Sequence, residues 1–188
     1  MHAFLPCAFE EPSPWLTCWA PRLLPAGCEV LDVACGAGRH MRWLAEHGWQ
    51  PLGVDCNAPA LAAAAEWGRV LHADLERDPW PLAGRHFAGV LVSRYLWRPL
   101  LPHLMAAVAP GGVLLYESFA VGEVSGNSRP MRPEFLLQPG ELLRLFMCEG
   151  WRIVASEDGF APSLHLPVQR IAALRLLPDG SAPHYSLE

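Results

Sequence analysis

The stretch that decides the fold is residues 30–40, VLDVACGAGRH: an apolar run, a carboxylate, then two glycines spaced by one residue. The run Val30–Val33 has the β-branched and leucine content of a short buried strand. From Arg39 to about His47 the apolar residues Met41, Leu44 and Ala45 share one helical face, and Gly48 supplies a stop. A glycine loop that leaves a strand and opens a helix brings bare backbone against a ligand. Several kinds of nucleotide-binding protein share that arrangement, so the ligand has to be read from the surrounding residues.

Further strand-like runs follow at Leu52–Asp55, Val70–Asp74, Val90–Ser93 and Val113–Ser118, separated by helix-like segments. Asn57 can cap a helix that runs to Gly68. Leu100, Leu101, Leu104, Met105 and Val108 stand at helical spacing before Pro110, Gly111 and Gly112. Pro139 fits the first turn of another helix, stopped by Gly150. Strands alternating with helices predict a parallel sheet joined by crossovers. The last third departs from this: Trp151–Ser156 and Val168–Leu176 are both strand-like, and the connection between them carries prolines and no helical period. An antiparallel return suits that connection, which predicts one reversed strand near an edge. The expectation is a single α/β domain over 1–188, with a Pro-rich lead-in at 1–27 and a core from 28 to 176.

Asp32 stands four residues before Gly36, beside any ligand in the loop. A pyrophosphate there would face a carboxylate, whereas a cationic ligand would be favoured; alternatively Asp32 accepts hydrogen bonds from its own loop. S-adenosylmethionine (SAM) carries an ammonium and a sulfonium and no phosphate for a helix N-terminus to cradle. The third glycine of a dinucleotide fingerprint is replaced by Met41. Asp55, at the end of the second strand, can accept both hydroxyls of an adenosine-type ribose. Asp74, in HADLERDPW, is placed for an adenine amino group with Leu75 beside it, although a strand-end aspartate also serves as a helix cap.

In order, VLDVACGAGRH, GVDCN, HADL, VLVSRYL and APGGVLLYESF resemble the class I SAM-dependent methyltransferases over roughly residues 28–176. The GNSRP and PEFLLQPGELL stretches are similar to the small bacterial tellurite-resistance and thiopurine-type members. The resemblance implies a Rossmann-like, doubly wound seven-stranded sheet, order 3-2-1-4-5-7-6, with strand 7 antiparallel. It implies a SAM site formed by Asp32, Ala34, Gly36, Gly38, Asp55, Cys56, Asp74, Leu75 and Ser93. It also implies methyl transfer by in-line displacement, with S-adenosylhomocysteine as product. Ala34 stands where the family motif has its first glycine.

On the acceptor side, Ser93, Arg94 and Tyr95 should emerge at the carboxyl end of the fourth strand. Arg94 and Arg98 could attract an anion, and Tyr95 could wall the sulfonium; a surface arginine and a packing tyrosine are the alternatives. Trp15 and Trp19 suit either a lid over the cofactor or ordinary packing. The irregular run Ala120–Gln138, with Arg129, Met131, Arg132 and Phe135, is either a binding loop or a surface loop. Glu117 could be a base or could pin a backbone amide.

The net charge of −5 and the lack of any basic run disfavour nucleic acid as a partner. All 14 basic residues are arginine, so no lysine can serve a phosphate loop, a Schiff base or a Tyr-x-x-x-Lys pair. Six cysteines and eight histidines show no metal-ligand spacing, and no metal is expected. Neither a signal peptide nor a membrane span is discernible, so the expected location is the cytoplasm. The leading expectation is a SAM-dependent methyltransferase acting on a small molecule. A SAM-binding sensor or partner subunit without turnover remains open, with an NAD-type oxidoreductase behind it.

Overall fold

The structure, a computed structural model, describes residues 11–122 and 132–185. Helix α1 (Pro14–Leu23) leads into strand β1 (Glu29–Val33), followed by α2 (Arg39–Glu46), β2 (Gln50–Asp55), α3 (Ala58–Ala64) and β3 (Arg69–His72). The chain continues through β4 (Phe87–Ser93), α4 (Leu101–Ala107), β5 (Val108–Phe119), α5 (Glu141–Phe146), β6 (Trp151–Ala161) and β7 (Leu166–Arg175). The seven strands form one sheet in the order β3-β2-β1-β4-β5-β7-β6. Strands β1 to β5 pair in parallel, and β7 runs antiparallel to both β5 and β6.

Period-two alternation along the strands feeds two apolar layers. Leu31, Val33, Val90, Val92, Leu114 and Tyr116 face the layer built with Leu101 and Leu104 of α4 and Leu142 and Phe146 of α5. Val30, Leu91, Val113, Leu115 and Ala172 face the other layer, where Trp15, Leu16 and Ala20 of α1 pack. Burial on both faces is why these strands read as nearly continuous apolar runs. Each fully buried Leu or Val contributes about 1.5–3 kcal/mol.

Several boundaries differ from the sequence expectation for local reasons. Strand β3 ends at His72, so Asp74 lies in a turn where its Oδ1 accepts from the Glu76 amide at 3.0 Å. Helix α3 stops at Ala64, short of Gly68. Val108 opens β5, and residues 110–112 lie within that strand, where the pairing register with β4 shifts. Pro139 precedes α5, because Gly140 in a left-handed conformation (φ 64°) is its N-cap and donates its amide to Asp158 Oδ2 at 2.8 Å. Strands β6 and β7 extend toward each other and meet in a hairpin across residues 162–165, so the polar stretch belongs mostly to strand. No described helix is long and apolar enough to cross a membrane.

One close approach holds the loop to the layer. Gly38 is left-handed (φ 80°), and a Cβ built there would stand 2.8 Å from Ala64 Cβ and 2.9 Å from Ala64 Cα. Gly36 is also left-handed (φ 55°), yet a Cβ on it meets nothing within 4 Å. Gly38→Ala should therefore cost about 2–4 kcal/mol, from backbone strain plus overpacking, and Gly36→Ala only the strain of about 1–2 kcal/mol. Thermal unfolding of both variants checks the ranking.

Candidate functional site

The turn after β1 uses three left-handed residues in alternation: Ala34 (φ 54°), Gly36 (φ 55°) and Gly38 (φ 80°). Alanine at position 34 thus adopts the conformation glycine would supply in the motif, at a cost of about 1–2 kcal/mol. The loop is pinned from the neighbouring strand. Asp55 Oδ2 accepts from the Gly36 amide and Oδ1 from the Asn57 amide, each at 2.8 Å. A carboxylate has about four acceptor positions, so roughly two remain for a ligand.

Two cavities meet at Ala34 over the carboxyl ends of β1, β2 and β4. The smaller, about 50 Å3, is lined by Asp55, Cys56, Asp74, Leu75 and Tyr95. The larger, about 390 Å3, is lined by Gly36, Arg39, His40, Ser93, Arg94 and Phe119. The expected residues Ala34, Gly36, Asp55, Cys56, Asp74, Leu75, Ser93, Arg94 and Tyr95 therefore line two cavities that share Ala34. Gly38 acts behind them, in the contact with Ala64. Tyr95 Oη is buried without a hydrogen-bond partner, and burial, then Glu76 and Asp74, push its phenol up.

Asp32 is enclosed more deeply than the other expected residues. It is 1% exposed and lines neither cavity; its Oδ2 stands 3.8 Å from Nδ1 of the buried His40. Asp32 lies inside β1, with its carboxylate against His40. Burial lowers the Arg39 guanidinium, while Asp32 and Glu117 oppose that shift. Arg39 Nη2 donates to Ser93 Oγ at 3.0 Å, and its Nη1 is buried with no protein partner, as is His40 Nε2.

A chain of contacts continues outward from Ser93. Ser93 Oγ donates to Glu117 Oε1 at 3.2 Å, Arg170 Nε donates to Glu117 Oε2 at 2.6 Å, and Arg170 Nη1 donates to Glu157 at 2.9 Å. Glu117 thus bridges two side chains, and among the described residues its carboxylate pins no amide. Its backbone oxygen accepts from the Arg94 amide at 2.8 Å. Arg94 itself is left-handed (φ 58°), and its guanidinium is pushed down to about 10 by burial and by Arg39, against Glu117.

Other expected residues fall elsewhere. Arg98 grips Glu141 at 2.7 and 2.8 Å and the carbonyls of Glu134 and Leu136, which makes it a clamp on the approach to α5. Trp15 is buried and donates Nε1 to the Ile171 carbonyl at 3.1 Å, with Trp19 tilted against it, so both pack under the sheet and neither lines these cavities. The helix-period apolar residues of α1 demand burial, which takes precedence over any lid. Arg132 stacks on Phe135, while Arg129 and Met131 lie outside the described residues. Arg39 was missed as a site residue; its position directly after the second glycine was the available signal. Among the described residues no cluster of three or more His, Cys, Asp or Glu could hold a metal ion.

The thiols divide sharply. Cys35 is buried in the loop, and burial followed by Asp32 and Asp55 pushes its thiol far above the usual cysteine range. It remains a thiol at pH 8, and the thiol is not the nucleophile. Native labelling with iodoacetamide at pH 8 should modify the exposed Cys56 and Cys148 and spare Cys35 until the chain is unfolded, as peptide mass spectrometry will show.

Known proteins match this architecture. The Methyltransferase domain family profile matches residues 30–112. A 102-residue stretch is 42% identical to the ribosomal RNA small subunit methyltransferase C of Alcanivorax borkumensis, covering 46% of this chain and 30% of that protein. The chain therefore spans only about 30% of the length of this curated relative. A SAM-dependent methyltransferase from Mesorhizobium loti superposes with a TM-score of 0.61 at 20% identity, covering 81% of this chain and 94% of that one. TehB from Haemophilus influenzae superposes with a TM-score of 0.60 at 16% identity, covering 79% of this chain and 57% of that one. The matched segment takes in the glycine loop and strands β1 to β4, and the chain shares its fold with solved SAM-dependent methyltransferases.

Proposed function

We propose that the chain binds SAM across the two joined cavities and transfers its methyl group to a small-molecule acceptor. The observation that carries this reading is the junction at Ala34, where a narrow acid-lined cavity opens into a wider one walled by Arg39, His40 and Arg94. Asp55 keeps acceptor positions for ribose hydroxyls, and Asp74 and Leu75 border the space for the adenine. Arg39 Nη1 and His40 Nε2 are buried polar atoms whose cost a carboxylate-bearing tail would relieve. Bound SAM supplies an electrophilic methyl group whose transfer leaves the carbon–sulfur pair on sulfur. The protein's work is alignment and exclusion of water.

A small acceptor is supported by the charge pattern. The net charge is −5, and the site's arginines are partly buried within the groove and form no basic fringe for a phosphate backbone. The relative that acts on ribosomal RNA by its name is matched over too little of its length to carry that substrate across. Binding of SAM without turnover is a second reading, favoured by Glu117, whose two oxygens are both engaged and which leaves no evident general base.

Incubation of the purified chain with SAM and a panel of small acids, thiols and amines should yield S-adenosylhomocysteine above the acceptor-free control, measured by mass spectrometry. Binding of S-adenosylhomocysteine with no turnover on any acceptor favours the second reading, and no binding at all refutes both. Asp55→Ala should weaken S-adenosylhomocysteine by about 1.5–3 kcal/mol in calorimetry, since charge-assisted bonds to the ribose are lost and the loop is released.

A further inference from the structure

Among the described residues the Tyr95 hydroxyl is buried without a hydrogen-bond partner, although three carboxylates belong to the same cavity wall. Tyr95 lines the narrow cavity with Asp55, Cys56, Asp74, Leu75 and Glu76, and it does not line the wider one. At about 50 Å3 the narrow cavity is far below the roughly 300–1,000 Å3 of a whole small-molecule site, so it takes one end of a ligand. On the SAM reading that end is the base, and Tyr95 stands with it rather than beside the sulfonium. We propose that Tyr95 is a nucleobase-selecting residue, whose phenol donates a hydrogen bond to a ring nitrogen of the cofactor's adenine. The proposal rests on the cofactor reading above and adds an edge contact that no aspartate can make.

Three observations support it. First, the hydroxyl end of the ring belongs to this cavity. After burial itself, the groups that act on the phenol are Glu76, Asp74, Cys56 and Asp55, and all four line the narrow cavity. Burial and these acids push the phenol up, so it keeps its proton across the neutral range and serves as a donor. Second, the rest of the wall is rich in acceptors. Ionised Asp55, Asp74 and Glu76 can only accept, which suits ribose hydroxyls and the adenine amino group. The ring nitrogens of the base need a donor instead, and the Cys56 thiol is a weak one. The Tyr95 hydroxyl supplies the complement. Third, the residue is held from behind. Its carbonyl accepts from Oη of the buried Tyr116 at 3.0 Å, and its side chain packs against the main apolar cluster. An unpaired buried hydroxyl destabilises the free protein, and a ligand nitrogen that accepts from it recovers that loss on binding.

Calorimetry on the full-length chain tests this with S-adenosylhomocysteine and three analogues in which carbon replaces the ring nitrogen at position 1, 3 or 7 of the adenine. Wild type should bind at least one analogue about tenfold more weakly than the parent. Tyr95→Phe, which keeps the ring, should bind the parent about tenfold more weakly and should no longer distinguish it from that analogue. The ligand-free variant should unfold at the same temperature as wild type or higher, because only an unpaired hydroxyl has been removed. A merely structural phenol gives the reverse, a lower unfolding temperature with analogue discrimination intact, and that result overturns the proposal. It is also overturned if wild type discriminates against no analogue, if every discrimination persists in Tyr95→Phe, or if the variant binds the parent as tightly as wild type does. Failure of wild type to bind S-adenosylhomocysteine is read in the first titration and removes the cofactor reading itself.

Discussion

The hydrogen bond from the Gly36 amide to Asp55 Oδ2 is the contact on which the site depends. A loop with left-handed residues at positions 34, 36 and 38 has many conformations to lose and little side-chain packing to select one. A carboxylate from the adjacent strand makes the selection, and a bond of this charge-assisted kind is worth about 1.5–3 kcal/mol. Its placement follows from the sheet. Strands β1 and β2 pair in parallel with Val33 opposite Val54, so the next residue on β2 reaches the loop that leaves β1. A one-residue slip would turn Asp55 to the other face.

Around that contact, four strands are tied by a polar chain. Ser93 on β4, Glu117 on β5, Arg170 on β7 and Glu157 on β6 are linked in sequence. Burial pulls the Arg170 guanidinium down, yet Glu157 and Glu117 outweigh it and its affinity for the proton rises. Arginine suits this chain because its fork can serve two carboxylates at once, as it does here. Arg98 repeats the device nearby, reaching Glu141 with two nitrogens and two backbone carbonyls besides. In a chain without lysine, arginine carries all such bridging.

The glycine loop, the acid at the end of β2 and the reversal of β7 were legible because each is a local pattern with a mechanical meaning. Strand order beyond adjacency came from family resemblance, since period-two alternation does not say which strands become neighbours. Side-chain partners were less legible. Asp32 and Arg98 are charged residues near the site in sequence, but one turns inward to His40 and the other is spent on Glu141. Direction and partner depend on contacts far along the chain. Arg170, which fixes Glu117, lies 53 residues away, on a strand the loop does not announce.

Arg94 lines the wider cavity and also another, of about 160 Å3, on its far side beside Glu117 and Leu164, and that placement has a thermodynamic consequence. A ligand that draws its guanidinium to one side changes the field and the space offered on the other. Occupancy of the two spaces is then heterotropically coupled, and reciprocity requires each occupant to alter the affinity of the other by the same factor.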